Sequence, residues 1–452
     1  MLIIALLAAA QAEDIEEQNA RLVRRKPRAT SMLLYDMMAD ADAAQELQLR
    51  YWMAQSFQRI GLYHTAQRYY RAVVEAGESR WRDEALIALV ALSAVIGDDA
   101  DLVAMAAALR PERFPAPVAS TLHYLQGVHH HNQGALAEAA VSYQAVSYGT
   151  PRYFSARLRL SVVQATSGEP TAARDVLVDL IRTAPVGTRL QKTDAEAVQA
   201  LAQLDLARLY YAAGRYEDAV VLYAQVADDT PWRSVADLES GWAALMLGDT
   251  AAAMRRGLQA STAAYLPEGE VLAASAALQS GGCPAALPIL TDVLDAHRPV
   301  LDELARTPSM SGAELWDGWF GDATTSAPAL PASFFSRLLR DQSLVGTIYR
   351  MDRIAQEQAL AASQSPDWVD SVGEGIIAML ASDHATVTAR VHTQLAERTA
   401  LLRNALVERV DEAETMRSAC LSGGAPPAAP ASRPEPDTDA APQPPTLPAA
   451  PQ

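Results

Sequence analysis

The chain has 452 residues, half of them apolar but only 6% aromatic, and carries 37 basic side chains against 54 acidic ones for a formal net charge of −17. That length suits about three compact units or one elongated array, and the negative balance disfavours polyanionic partners such as nucleic acid or anionic lipid unless a basic face is set apart from the rest. One short basic cluster is visible, Arg21, Arg24, Arg25, Lys26 and Arg28.

At the N-terminus Leu2 to Ala10 form an apolar run, far short of the ~20 residues that a membrane-spanning helix needs. Ala10 and Ala12 have the small-residue spacing of a secretory cleavage site. Residues 1–12 therefore read as a signal peptide, and the protein is expected to be exported to the periplasm or cell envelope. The segment before the run carries no Lys or Arg, so a cytoplasmic protein with a buried N-terminus is the alternative, as is a mis-called start codon. Residues 13–46 follow as an acidic then basic lead-in, partly helical. No later stretch reaches spanning length, so no membrane span is expected.

From residue 47 a fixed period organises the chain. Gly134 and Gly168 are 34 apart, as are Gly214, Gly248 and Gly282, and Pro151, Pro185, Pro231 and Pro299 each follow one of these glycines by 17 residues. The ladders delimit seven units, at about 47–80, 81–119, 120–153, 154–187, 200–233, 234–267 and 268–301. In five of them a small residue of the first helix faces one of the second: Ala54 with Ala66, Gly127 with Ala139, Ser161 with Ala173, Ala207 with Ala219 and Gly241 with Ala253. Paired small residues let two helices approach closely, and a Tyr or Phe between them fills the groove. The glycine supports a left-handed helix end, and the proline stops the second helix.

This pattern resembles the tetratricopeptide repeat family, a 34-residue helix-turn-helix unit. The match is closest in 200–233, through Leu206, Ala207, Tyr210, Gly214, Tyr216, Ala219, Tyr223 and Pro231. The resemblance implies an all-α fold, a right-handed solenoid over 47–301 that recognises proteins on its concave face. Unit 81–119 departs from it, with Gly97 displaced and Pro111, Pro115 and Pro117 loosening its end; units 234–267 and 268–301 carry Gly257 and Thr291 where the second-helix aromatic belongs. About a dozen extra residues precede 200, and Thr193-Asp194-Ala195-Glu196 read there as the cap of an extended helix.

First-helix residues line the inner wall of such arrays, which nominates Tyr51, Gln55, Tyr124, Val128, His131, Leu158, Val162, Leu204, Arg208, Tyr211, Leu238 and Trp242 as a mostly apolar groove. The Lys, Arg and Asn clamp that the family's chaperone-tail binders use is absent from these positions, so an acidic C-terminal tail is not the expected ligand there. An apolar groove asks for a partner's amphipathic helix or extended segment, or for part of the chain itself.

Residues 302–331 read as a loop whose Trp316, Trp319 and Phe320 dock it to the body. Residues 332–421 read as an antiparallel helical pair with an amphipathic seam, broken at Ser365-Pro366-Asp367. Residues 422–452, mostly Pro and Ala, read as a disordered tail. Cys283 and Cys420 rule out a disulfide framework and a Cys-based zinc site; two separate buried thiols are expected, with a single bridge as the alternative. The layout also looks similar to tetratricopeptide proteins of bacterial cell-envelope and gliding-motility machinery, around Tyr265-Leu266-Pro267-Glu268, Cys283 and Arg298-Pro299.

No nucleophile elbow, zinc-protease, P-loop or C-x-x-C motif occurs. His129, His130 and His131 are consecutive, so on a helix they point about 100° apart and cannot share a metal. His123 and His130 share a face, but at packing positions. The expectation is a non-enzymatic scaffold without cofactor or metal that binds a protein or peptide. Its alternatives are a self-complemented envelope or motility subunit whose groove is filled by its own C-terminal helices and which can self-associate, and, more remotely, an enzyme with accessory repeats.

Overall fold

A computed structural model describes residues 19–96, 99–261, 267–321 and 328–423, and every regular element in them is helical. Residues 1–12, Gly97, Tyr265, Leu266 and the tail from 424 onward lie outside the described residues. After a short helical stretch at 19–25 come α1 (Pro27–Met38), α2 (Ala43–Arg59), α3 (Tyr63–Glu75), α4 (Arg82–Ile96), α5 (Ala100–Ala106), α6 (Ala116–Asn132) and α7 (Leu136–Gln144). Next are α8 (Tyr153–Thr166), α9 (Pro170–Arg182), α10 (Arg189–Ala212), α11 (Tyr216–Tyr223), α12 (Arg233–Met246), α13 (Thr250–Ser261) and α14 (Glu268–Leu304). The chain closes with α15 (Gly312–Trp319), α16 (Ala332–Leu338), α17 (Gln342–Ala362), α18 (Pro366–Trp368) and α19 (Glu374–Ser422).

The glycine ladder marks one repeated turn. Gly61, Gly134, Gly168, Gly214 and Gly248 all have φ between 73° and 88°, and so take the left-handed conformation that ends a helix. The same pair of bonds recurs at all five. The amide of Leu62 donates to the Phe57 carbonyl, Ala135 to His130, Glu169 to Gln164, Arg215 to Tyr210 and Asp249 to Ala244, each at 2.9 Å, while each glycine amide donates to a carbonyl three residues back. These bonds satisfy carbonyls that a helix end otherwise leaves orphaned. Gly282, with φ 64° and ψ −163°, breaks α14 at the fifth rung.

The chain divides into two compact units. In the first, residues 19–125 and 346–389, α1 packs on α2, α2 on α3 and α3 on α4. Ala54 and Ala66 are fully buried with Phe57 and Tyr70, and burying a side chain of that size contributes on the order of 2 kcal/mol. In the second, residues 126–345 and 390–423, α8 packs on α7 and α9, α11 on α10 and α12, and α14 on α13, so the sequence-adjacent helices form hairpins. First helices also touch each other, α8 with α10 and α12 with α14. The expected close approaches are present: Ala139, Ala173, Ala207, Ala219 and Ala253 are 0% exposed, Gly127 and Gly241 are buried, and a Cβ on Gly127 would lie 2.4 Å from the Tyr143 ring.

At Gly257, which stands where the second-helix aromatic belongs, backbone takes the space: a Cβ there would fall 2.4 Å from the Gly269 carbonyl oxygen. Three expectations need correction. The cap of α10 is Thr188, in a reciprocal box with Gln191, and Thr193 lies inside the helix with its hydroxyl donating to the Arg189 carbonyl at 3.2 Å. The segment 302–331 is not simply a loop, since α15 forms there behind a Ser311–Glu314 capping box. The two cysteines are not separate thiols; Cys283 and Cys420 are disulfide-bonded, with Cα atoms 5.2 Å apart.

The residues expected as a helical pair, 332–421, resolve into a short α16, long α17 and α19, and a three-residue α18 with a π-helical turn at Val369–Gly373. Two aromatics of 302–331 dock onto α16, Trp319 with Phe334 and Phe335 at 5.6 Å and Phe320 with Phe335 at 6.0 Å, while Trp316 meets Phe320 at 5.1 Å and His392 of α19 at 6.4 Å. Trp319 also donates its indole N–H to the Pro328 carbonyl at 3.1 Å.

Candidate functional site

The nominated groove residues separate into buried and accessible sets. Tyr124, Leu158, Leu204, Tyr211 and Trp242 are 0% to 9% exposed and belong to the core. Leu158 lies on α8 and Leu204 on α10, two helices that pack against each other. Val128, His131, Val162 and Leu238 remain half-buried. Burial, and after it the charge of Arg159, lowers the His131 pKa, so its imidazole is neutral at pH 7.

Arg208 is an anchor rather than an open groove residue. Its Nε donates to both Glu239 oxygens at 3.0 Å, its Nη2 to Oε1 at 2.7 Å and its Nη1 to Asp205 at 3.2 Å. Its side chain is 11% exposed and that of Glu239 9%. Burial pushes the Glu239 carboxyl up, and the guanidinium opposes it. A bidentate pair of this kind fixes α10 against α12; removing either partner would strand a buried charge.

A second buried carboxylate, Glu357 of α17, was not nominated. It is 5% exposed and sits at the N-terminus of α3, whose own cap residue, Leu62, offers no side-chain acceptor. The His64 amide donates to its Oε2, and the Thr65 amide and hydroxyl to its Oε1, all at 2.8 Å, while His64 Nδ1 lies 3.1 Å from Oε2. The negative carboxylate therefore meets the positive end of the helix dipole and closes its open N–H groups. Nearby, Trp368 donates its indole N–H to Ser31 at 2.9 Å, Arg28 bonds to Gln364, and Arg68 reaches Asp383 at 2.7 Å. The signal in the sequence was a glutamate within the apolar stripe of Leu344, Ile354 and Ala361.

Tyr51 and Gln55 are brought together, Gln55 Nε2 donating to the Tyr51 hydroxyl at 3.2 Å. They line a cleft in the first unit with Arg24, Trp52 and Arg59, residues not nominated for the groove. Among the described residues no group of His, Cys, Asp or Glu is arranged to hold a metal ion, and no helix is long and apolar enough to cross a membrane. No protein-family model matches the sequence, and no curated protein matches it either.

Proposed function

We propose that this chain is a non-enzymatic scaffold of the tetratricopeptide type, a right-handed α-solenoid partly covered by its own C-terminal helices, which acts through protein–protein contacts in the bacterial cell envelope. The observation that carries the reading is the recurrence of one bonded turn at 34-residue spacing, on Gly134 and Gly168 and again on Gly214 and Gly248. Stacked hairpins of that kind bury a continuous core and present long faces for recognition. The Cys283–Cys420 bridge favours an oxidising compartment such as the periplasm.

The self-complemented form is supported over an open apolar groove. Five of the twelve nominated groove residues lie in the core, Glu357 docks α17 on the first hairpin in the first unit, and α19 is bonded to the last hairpin in the second. Site-specific photo-crosslinking in the native host tests it. A photoreactive residue at Gln55, Val128 or Val162 reports the inner face, and one at the exposed Val141 or Val221 reports the second helices. Crosslinks to another protein at any of these support the scaffold; none at all five positions would remove it. Recovery of the protein from the cytoplasm alone would remove the envelope assignment.

A further inference from the structure

A cleft of about 260 Å³ in the first unit lies between the helical stretch 19–25 and α2, and its chemistry is one-sided. Arg24 comes from the lead-in; Tyr51, Trp52, Gln55 and Arg59 come from one face of α2, and among the described residues no carboxylate lines it. Other arginines of this unit meet acids, Arg68 with Asp383 and Arg82 with Glu78. Here the Arg59 guanidinium has no hydrogen-bond or ion-pair partner among the described residues, and Arg24 donates only to the Ala20 carbonyl, at 3.1 Å. Trp52 is 8% exposed, and its buried indole N–H has no acceptor among the described residues. The two aromatic rings that line the cleft, Tyr51 and Trp52, belong to a larger aromatic cluster. Tyr51 stacks on Trp81 at 5.1 Å and meets Trp52 and Tyr70 edge-on at 5.2 and 5.9 Å.

We propose that this cleft binds an acidic peptide segment of a partner protein, with an Asp or Glu carboxylate held by Arg24 and Arg59 and a neighbouring apolar side chain laid on Tyr51 and Trp52. The proposal rests on the scaffold reading and names its ligand class. Guanidinium groups without internal partners favour an anion, and buried aromatic surface beside them favours an apolar group. A polyanion is disfavoured by the charge of the whole molecule, whereas a single carboxylate meets little of that repulsion.

The test uses the full chain and two probes, the capped peptide Ac-Glu-Phe-Glu-Leu-NH2 and its neutral counterpart Ac-Gln-Phe-Gln-Leu-NH2. Binding is followed by calorimetry and by the Trp52 indole N–H resonance, assigned with Trp52→Phe. The acidic peptide is expected to shift that resonance and to bind at least about tenfold more tightly than the neutral one, since charge-assisted bonds of this kind differ by that much. Arg24→Gln and Arg59→Gln should each weaken it about tenfold, while Arg255→Gln, on the exposed side of α13, should change nothing. Equal affinity for the two peptides, or insensitivity to Arg59→Gln, overturns the proposal. So does tighter peptide binding when Glu13, Asp14, Glu16 and Glu17 are together neutralised to their amides, because the chain's own acidic run would then be the occupant. If these measurements fail while crosslinks persist at Val128 or Val162, the scaffold reading stands without this site.

Discussion

The two units fasten their C-terminal helices by different physics. In the first, α17 is held by a buried carboxylate that closes the end of α3. In the second, α19 is held by a covalent bond at Cys420, with an exposed ion pair from Arg298 to Glu414 and a half-buried, looser one from Arg409 to Glu268 at 3.7 Å along the way. A buried latch demands one geometry and leaves orphaned donors when removed. A disulfide acts chiefly on the unfolded chain, by shortening the loop it can explore, and exposed ion pairs contribute little. The first unit should therefore be sensitive to single-atom changes at its latch, and the second to redox conditions.

The largest expected effect is at Glu357. Replacing it with Leu strands the His64 and Thr65 donors in the core and should cost about 3–5 kcal/mol in urea unfolding, whereas Glu357→Gln keeps part of the cap and should cost less. Cys283→Ser, Cys420→Ser and the double variant should each cost about 2–4 kcal/mol, and hydrogen exchange should rise over 409–422 and not over 346–362. If the disulfide variants loosen both stretches equally, the contrast between the units fails. Gly127→Ala should cost about 1–3 kcal/mol by thermal melting, because its Cβ would press on the buried Tyr143 ring. Arg298→Ala should change stability by less than about 1 kcal/mol.

The smallest expected effect is pH-dependent. Burial lowers the His297 pKa, so the unfolded chain takes up this proton first as the solution becomes acidic. Stability from the neutral imidazole is thus fully present above the ordinary histidine value and is lost as pH falls through the lowered folded one. Melting temperatures of His297→Gln measured between pH 7 and pH 5 should fall less steeply than those of the parent. A steeper fall would mean that the imidazole is charged in the folded state.

Much of the helical layout was legible because local chemistry specifies it. A glycine at a helix end needs only its own backbone freedom, and small residues at fixed spacing report close approach whatever surrounds them. Legibility failed where a partner is remote in sequence. At Gly257 the space of a side chain is taken by the backbone of α14, and the burial of Leu158 and Leu204 accompanies the packing of α8 on α10, two helices that are not neighbours in sequence. Glu357 was invisible as a cap because the helix it closes lies nearly three hundred residues earlier.

The amino-acid sequence by itself determined the all-helical class, the period and the positions of the turns, since each depends on contacts within a few residues. Tertiary structure alone decided which first-helix residues stay accessible, which carboxylate closes α3, that Cys283 meets Cys420, and that Arg24 shares a cleft with Arg59. Those outcomes depend on which distant surfaces exclude water from one another, and no local pattern encodes that.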